Sequence, residues 1–186
     1  MELLIPKREY IKYRVNMGKF KKNKKLVKFI HWSTSAGRNM FSIHKIDERI
    51  RIAARFLLDK DFLIVGTELD EEYCKKFGKF TGAKVISNYT SSIISNPNNK
   101  EYFEPDVLFV TNVDENQNAI QEANINRIPV LAFCNTNSDV SGVDLIVPLN
   151  TSNKYAIGLS LWLILNEMRK LKKEEEIPFE EFMKKE

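Results

Sequence analysis

Cysteine is scarce, with only Cys74 and Cys134 in 186 residues. They are too few and too far apart for a disulfide framework. Both lie in apolar surroundings ("EEYCKKF", "LAFCNT"), where a reduced, buried thiol is expected. Histidine is equally rare: His31 and His44 stand thirteen apart, and neither cysteine has a C-x-x-C partner. No metal site is therefore expected, and each His reads as a core-edge ring or one facing a nucleic acid. Long hydrophobic runs are missing too. The longest, "YAIGLSLWLIL" at 155–165, has 11 residues, about half of what a bilayer span takes. The N-terminal "MELLIPKREY" has Glu2 where a signal peptide needs positive charge, and it lacks a long apolar segment. The expectation is a soluble, cytoplasmic protein.

What is there begins with alternation. "DFLIVG" (61–66), "AKVIS" (83–87), "PDVLFVTN" (105–112), "IPVLAFCN" (128–135) and "VDLIVPLN" (143–150) are short apolar runs that read as buried strands. Between them, "LDEEYCKKFGKFTG" (69–82) has helical spacing, with Leu69, Tyr73, Phe77 and Phe80 as its inward stripe and Gly82 as its stop. "ENQNAIQEANIN" (115–126) is a second helix, with Ile120, Ala123 and Ile125 as candidates for its inward face. The final helix, 153–171, is apolar almost all round and should be largely buried. Continuous apolar strands separated by helices predict an α/β fold: a doubly wound, mainly parallel, flavodoxin-like or Rossmann-type sheet. Ahead of this core, "KFIHWSTSAGRNMFSIHK" (28–45) reads as a hairpin around a turn-rich centre. "DERIRIAARFLL" (47–58) reads as a helix with Asp47 and Glu48 in its first turn, as the dipole prefers. The expected organisation is a basic N-terminal arm and hairpin over 1–45, an α/β core over 46–171 and a charged tail over 172–186. That tail is expected to order only on a partner, if at all.

The chemistry that such a sheet invites is missing. After the first core strand comes "VGTELDEE", with no G-x-G-x-x-G and no Gly-Lys-Ser/Thr cradle. Glu68, Asp70, Glu71 and Glu72 crowd the place where a phosphate would need bare backbone N–H groups. Ser160 lies inside a helix and not on a G-x-S-x-G elbow. Asp106 and Asp144 open their strands, on the opposite rim from Asp114, which opposes a catalytic pair. Neither a cofactor nor an enzymatic activity is expected. The one feature left to an enzyme or sensor reading is the 13-residue polar loop "SNYTSSIISNPNN" (87–99), since loops of that length are functional or mobile.

Charge is unevenly spread. The net charge is only +4, but residues 1–60 hold 16 Lys and Arg against 5 Asp and Glu, and the remainder holds 13 against 20. Such polarity presents a basic face to an anionic partner, nucleic acid or an acidic membrane, or else pairs internally with the acidic half. The densest stretch is "GKFKKNKKLVKF" (18–29), six lysines in twelve positions with aromatics between them. Lys21, Lys22, Lys24 and Lys25 are expected to meet the phosphates of a nucleic acid. Phe20 and Phe29 are expected to pack the arm onto the core, with base stacking as the alternative that they share with Trp32. Arg49, Arg51 and Arg55 stay open between RNA contact and a solvated helix face, because Asp47 and Glu48 are at pairing distance from Arg51. Met17 and Met40 read as core.

Six collinear segments carry a resemblance: "DERIRIAARFL" (47–57), "CKKFGKFTGAKVI" (74–86), "SNP" (95–97), "EPDVLFVTN" (104–112), "AIQEANINRIPVLAFCNTNS" (119–138) and "VDLIVPLN" (143–150). Together they resemble the second universal small-subunit ribosomal protein family, in its archaeal and eukaryotic form, over residues 10 to 170. The run "ARFLLDKDFLIVG" passes from helix to strand without the coiled-coil insertion of the bacterial form. Departures are local. "VNMG" (15–18) has Asn16 where the family has histidine. "SNYTSSIIS" (87–95) lacks the Arg, Pro and Gly of the family's loop, and "NVDEN" (112–116) lacks an Arg. "NTSNKY" (150–155) keeps one lysine, Lys154, of the family's basic helix start.

The resemblance implies a flavodoxin-like sheet with a basic extension and a structural, non-enzymatic role on the small ribosomal subunit. The implied partners are small-subunit rRNA and other small-subunit ribosomal proteins, with no membrane and no small-molecule substrate. The expected RNA-binding residues are Lys19, Lys21, Lys22, Lys24, Lys25, Lys28, Arg38, Arg49, Arg51, Arg55 and Lys154. Two other classes stand against this: a small-molecule-binding α/β enzyme or sensor using the loop 87–99, and a membrane-surface or protein-interaction module.

Overall fold

The computed structural model describes residues 3–183; Met1 and Glu2 at the N-terminus and 184–186 of the charged tail lie outside the described residues. The elements run α1 (Lys7–Lys12), β1 (Ile30–Ser33), β2 (Asn39–Phe41), α2 (Ile43–Leu57), β3 (Phe62–Val65), α3 (Glu71–Thr81), β4 (Lys84–Ile86) and β5 (Val107–Val110). They continue with α4 (Gln117–Ile125), β6 (Val130–Cys134), β7 (Leu145–Pro148), α5 (Lys154–Lys172) and α6 (Phe179–Met183). The five apolar runs pair in the order β4-β3-β5-β6-β7, all parallel. Counted along this sheet alone, that is the flavodoxin-like order 2-1-3-4-5, with its switch point between β3 and β5. The doubly wound α/β expectation holds.

Burial on both faces explains why the strands read as unbroken apolar runs: every residue of β3, β5 and β6 is buried. Connections that leave β3 and β5 in opposite directions place their right-handed crossover helices on opposite faces. Accordingly α3 and α2 both pack on α5, while α4 covers β5 and β6. Phe77 of α3, Phe109 of β5 and Phe133 of β6 meet edge to face, at centroid distances of 6.2 and 5.0 Å. Asp106 and Asp144 staple the amino rim: their carboxylates accept from Asp61 N at 3.0 Å and Val130 N at 2.8 Å. Both cysteines are buried and free, and burial pushes both thiols up from their usual range. Among the described residues no helix is long and apolar enough to cross a membrane.

Several local expectations are corrected. Helix α2 starts at Ile43 behind Ser42, so Asp47 lies in its second turn and is buried, not exposed to the dipole end. Its carboxylate accepts from Leu4 N at 2.8 Å, from the Tyr10 hydroxyl at 2.8 Å and from Arg51 Nε at 2.9 Å. Burial, reinforced by this carboxylate, pushes the Tyr10 hydroxyl well above its usual range. Helix α3 turns Tyr73, Cys74 and Phe77 inward, whereas Leu69 precedes it and Phe80 leaves the stripe near its end; those two are 46 % and 40 % exposed. Ile125, five residues beyond Ile120, falls off the inward face of α4 and is 80 % exposed. Met17 and Met40 bridge each other at half burial.

The tail differs most from expectation. Ile177 and Phe182 are buried in the same core as the sheet. Asn166 of α5 clamps Ile177 from both sides, accepting from its N–H at 3.0 Å and donating to its carbonyl at 3.2 Å. Trp162 Nε1 donates to the same carbonyl at 2.8 Å, and the Phe182 ring stacks on Tyr73 at 6.3 Å. The charge run at 172–176 masks this anchor in the sequence, because the apolar Ile177, Phe179, Phe182 and Met183 behind it are few and set among further charges.

Candidate nucleic-acid interface

The basic arm is laid across the carboxyl rim of the sheet by backbone hydrogen bonds, and its lysines are left outside. Thr136, fully buried after β6, is the central fixture. Its hydroxyl accepts from Lys19 N at 2.8 Å and faces the carbonyl of Lys21 at 3.1 Å, while its own carbonyl accepts from Asn23 N at 2.7 Å. On the other side Asn39 of β2 donates through Nδ2 to the carbonyls of Lys19 and Phe20, at 2.9 and 2.8 Å. Gly18 lies between them, its N–H donating to Asn39 O at 2.9 Å.

From Lys24 to Phe29 the chain forms a 3₁₀ helix, capped by Asn23, whose side chain accepts from Lys25 N at 3.0 Å. Three residues per turn stack Leu26 over Phe29 on the buried side. Lys24, Lys25, Val27 and Lys28 therefore point to solvent, as do Lys21 and Lys22 before them. Phe29 packs as expected. Phe20 does not: it is 59 % exposed, with the Arg38 guanidinium 5.1 Å over its ring. Trp32 on β1 is likewise about half exposed.

Beside the arm opens a cleft of about 870 Å³. It is bounded by α1 and the segment after it, by the arm, and by the loop from β7 into α5. Lys12, Arg14, Lys19, Arg38 and Lys154 line it together with the rings of Tyr13, Phe20 and Tyr155, and no described lining side chain is acidic. The loop is fixed from below: Asn150 Nδ2 donates to Arg14 O and Asn153 Nδ2 to Tyr13 O, both at 3.2 Å. Lys154 opens α5 and lies 5.2 Å over the Tyr155 ring. The Tyr13 hydroxyl, with Glu9, raises Lys12 above the usual lysine range, so it carries its charge. Lys19 is 3.5 Å from Asp114, an exposed pair of small energy.

Of the residues singled out from the sequence, the structure brings Lys19, Arg38 and Lys154 into this cleft. Lys21, Lys22, Lys24 and Lys25 are exposed further along the arm and are not among the residues that line the cleft. Lys28 and Arg49 lie over the same Phe29 ring, at 5.1 and 5.3 Å, with Lys45 Nζ donating to the carbonyl of Lys28. Arg55 is exposed further along α2, whereas Arg51 is held against Asp47. Sequence reasoning missed Lys12, Arg14, Lys45 and Tyr155. Only folding brings them beside the arm, and no motif marks them.

The switch-point crevice is a separate space of about 680 Å³, lined by Gly66–Leu69, the loop residues Ser87–Tyr89, and Glu115 with Asn116. Its charged lining side chains are Glu68 and Glu115, which oppose an anionic ligand. The rest of the polar loop is folded down: Ile93 and Ile94 are buried, and Glu122 of α4 accepts from Ser92 N, Ile94 N, Ser95 N and the Ser95 hydroxyl at 2.7–3.2 Å. Partial burial opposes ionisation of Glu122, but these donors outweigh it and hold the carboxyl below its usual range.

The fold and this cleft together define a flavodoxin-like α/β protein that presents a basic, aromatic-lined rim. The profile of the family described as Ribosomal protein S2 matches residues 97–170. A relative named small ribosomal subunit protein uS2, from Ignicoccus hospitalis, is 33 % identical over 174 residues, which is 90 % of this chain and 82 % of the relative. The chain belongs to the ribosomal protein S2 family.

Proposed function

We propose that this chain is a structural, non-enzymatic constituent of the small ribosomal subunit, acting in translation on cytoplasmic ribosomes. In this reading it binds small-subunit rRNA and neighbouring ribosomal proteins. The observation that carries it is the basic rim. Exposed Lys21, Lys22, Lys24, Lys25 and Lys28 on a hydrogen-bonded arm run into a cleft holding five more cations and no acid among its described lining residues. Lys and Arg held on a rigid backbone supply phosphate contacts without sequence readout. Arg49, over the Phe29 ring, extends this face onto α2, and Arg51 and Arg55 are further candidates at other positions around that helix. Family membership and the small-subunit name of the relative support the reading.

Cosedimentation with small subunits across a salt series tests it; a chain that stays free at low salt refutes it. Changing Lys21, Lys22, Lys24 and Lys25 to Gln removes up to about 3 from the log–log salt slope of RNA binding if each lysine neutralises one phosphate. An unchanged slope would mean these lysines are solvated surface.

A further inference from the structure

Two large rings stand open in a cationic cleft, which phosphate binding alone does not explain. Phe20 and Tyr155 are 59 % and 45 % exposed. Exposed aromatic surface costs free energy unless something covers it. Each ring already has a cation of its own at one side, Arg38 at 5.1 Å and Lys154 at 5.2 Å. Tyr13, the third ring of the cleft, differs, because it already packs on Phe179 at 5.4 Å. The two open rings come from separate parts of the chain: one from the arm, one from the first turn of α5. The arm ring is held by the Asn39 bond to its own carbonyl, and the α5 ring follows the Asn153 cap, whose side chain accepts from Tyr155 N at 3.0 Å.

We propose that this cleft takes an unpaired nucleotide, its base stacked on Phe20 or Tyr155 and its phosphate held by Lys19, Arg38 and Lys154. This rests on the RNA-binding reading above and narrows it. A space of about 870 Å³ is in the range of single-ligand pockets. A duplex presents phosphates and groove edges to such a rim but keeps its base faces covered by stacking, whereas unpaired RNA offers bare faces to rings and guanidinium planes. Alternating rings and cations in one concave site match the second ligand. The same chemistry would accept a free nucleoside monophosphate, so the source has to be separated by experiment.

Anisotropy titrations of the full chain use three probes: an unpaired A-rich decamer, a hairpin duplex with the same number of phosphates, and free AMP as competitor. The test variant is Phe20→Leu with Tyr155→Leu, which keeps apolar bulk and removes the π faces. Since both rings are exposed, its thermal unfolding is expected to match the wild type, which checks folding. The expected result is a loss of about fivefold or more for the decamer, from the lower end of base–aromatic stacking. Duplex affinity and the salt slope of both RNAs stay the same, since no charge is removed. The four-lysine Gln variant gives the opposite pattern, weakening both RNAs and flattening both slopes. A double-leucine variant that binds the decamer like the wild type, or that loses decamer and duplex equally, overturns the nucleotide site and leaves the phosphate reading standing. AMP binding as tightly as the decamer overturns it in favour of a small-molecule site. A wild-type chain that binds neither RNA at low salt refutes the underlying reading itself.

Discussion

Gly18→Ala is the substitution that probes the seating of the arm most directly. A Cβ at this position would lie 2.2 Å from Thr136 Cγ2 and 2.9 Å from Asn39 O. Ordinary carbon–carbon contact is about 3.5–4.0 Å, so the methyl would overlap its neighbour by more than an ångström. Thr136 cannot rotate away cheaply. It is fully buried, and its hydroxyl is committed to Lys19 N and the Lys21 carbonyl. The other neighbour is backbone. The arm must therefore lift, stretching the Gly18 N–H bond to Asn39 O and the Lys19 N–H bond to Thr136. Overpacking of this kind costs about 1–3 kcal/mol, and a net hydrogen bond about 1 kcal/mol, so a loss of about 2–3 kcal/mol is expected. For a chain of this size that lowers the melting temperature by roughly 4–12 °C. Urea unfolding gives the stability, and hydrogen exchange at Gly18 and Lys19 reports the lifting. Combining the change with Thr136→Ser keeps the hydroxyl and removes the offending methyl, so the pair should be better than additive by about 1 kcal/mol. Full rescue is not expected while Asn39 O stays at 2.9 Å. A Gly18→Ala protein with the wild-type urea midpoint and wild-type exchange would refute the argument.

Asp47→Ala removes the shared acceptor of Leu4, Tyr10 and Arg51 and is expected to cost about 3–5 kcal/mol, with α1 freed first. Limited proteolysis near Tyr10 checks this, and an intact N-terminus at equal protease would contradict it. Glu122 has its folded-state carboxyl held below the ordinary value of 4.5. Its contribution is therefore present above that value and is lost as pH falls through the lower folded value. Hydrogen exchange at Ser92 and Ser95 should accelerate in that acidic window and be fast already at pH 7 in Glu122→Gln; pH-independent protection would contradict it. Phe182→Ala leaves a hole against Tyr73 and should cost about 3 kcal/mol or more. A stability equal to wild type in urea would mean that the tail does not belong to the core.

The alternation of short apolar runs with helical segments was readable because it reports local burial on two faces. Every core strand lies within the run that announced it, trimmed by a residue or more at each end. What misled was pattern at an element's margin. Leu69 and Phe80 fit a helical stripe on paper, but α3 begins after the first, and the second stands in its last turn at the edge of the core. Asp47 is a first-turn acid only if Ile43, His44 and Lys45 belong to the hairpin, and they open α2 instead. The anchor at Ile177 and Phe182 was hidden by the charges before it. A charge run describes solvation of its own side chains and carries no information about the apolar groups beyond it.

By itself the sequence determined the fold class, the family and the presence of a basic arm, because these depend on period, composition and six collinear segments. It could not decide what the arm lies on or what it encloses. Lys12, Arg38 and Lys154 are 26 and 116 residues apart in succession, and they share a cleft only because Thr136 and Asn39 fix the backbone between them. Contacts of that kind are set by which loops the sheet order brings to one rim. The orientation of Phe20, expected inward and found open, was settled the same way: a 3₁₀ turn supplied Leu26 and Phe29 to the core, and left the ring at position 20 facing the cations.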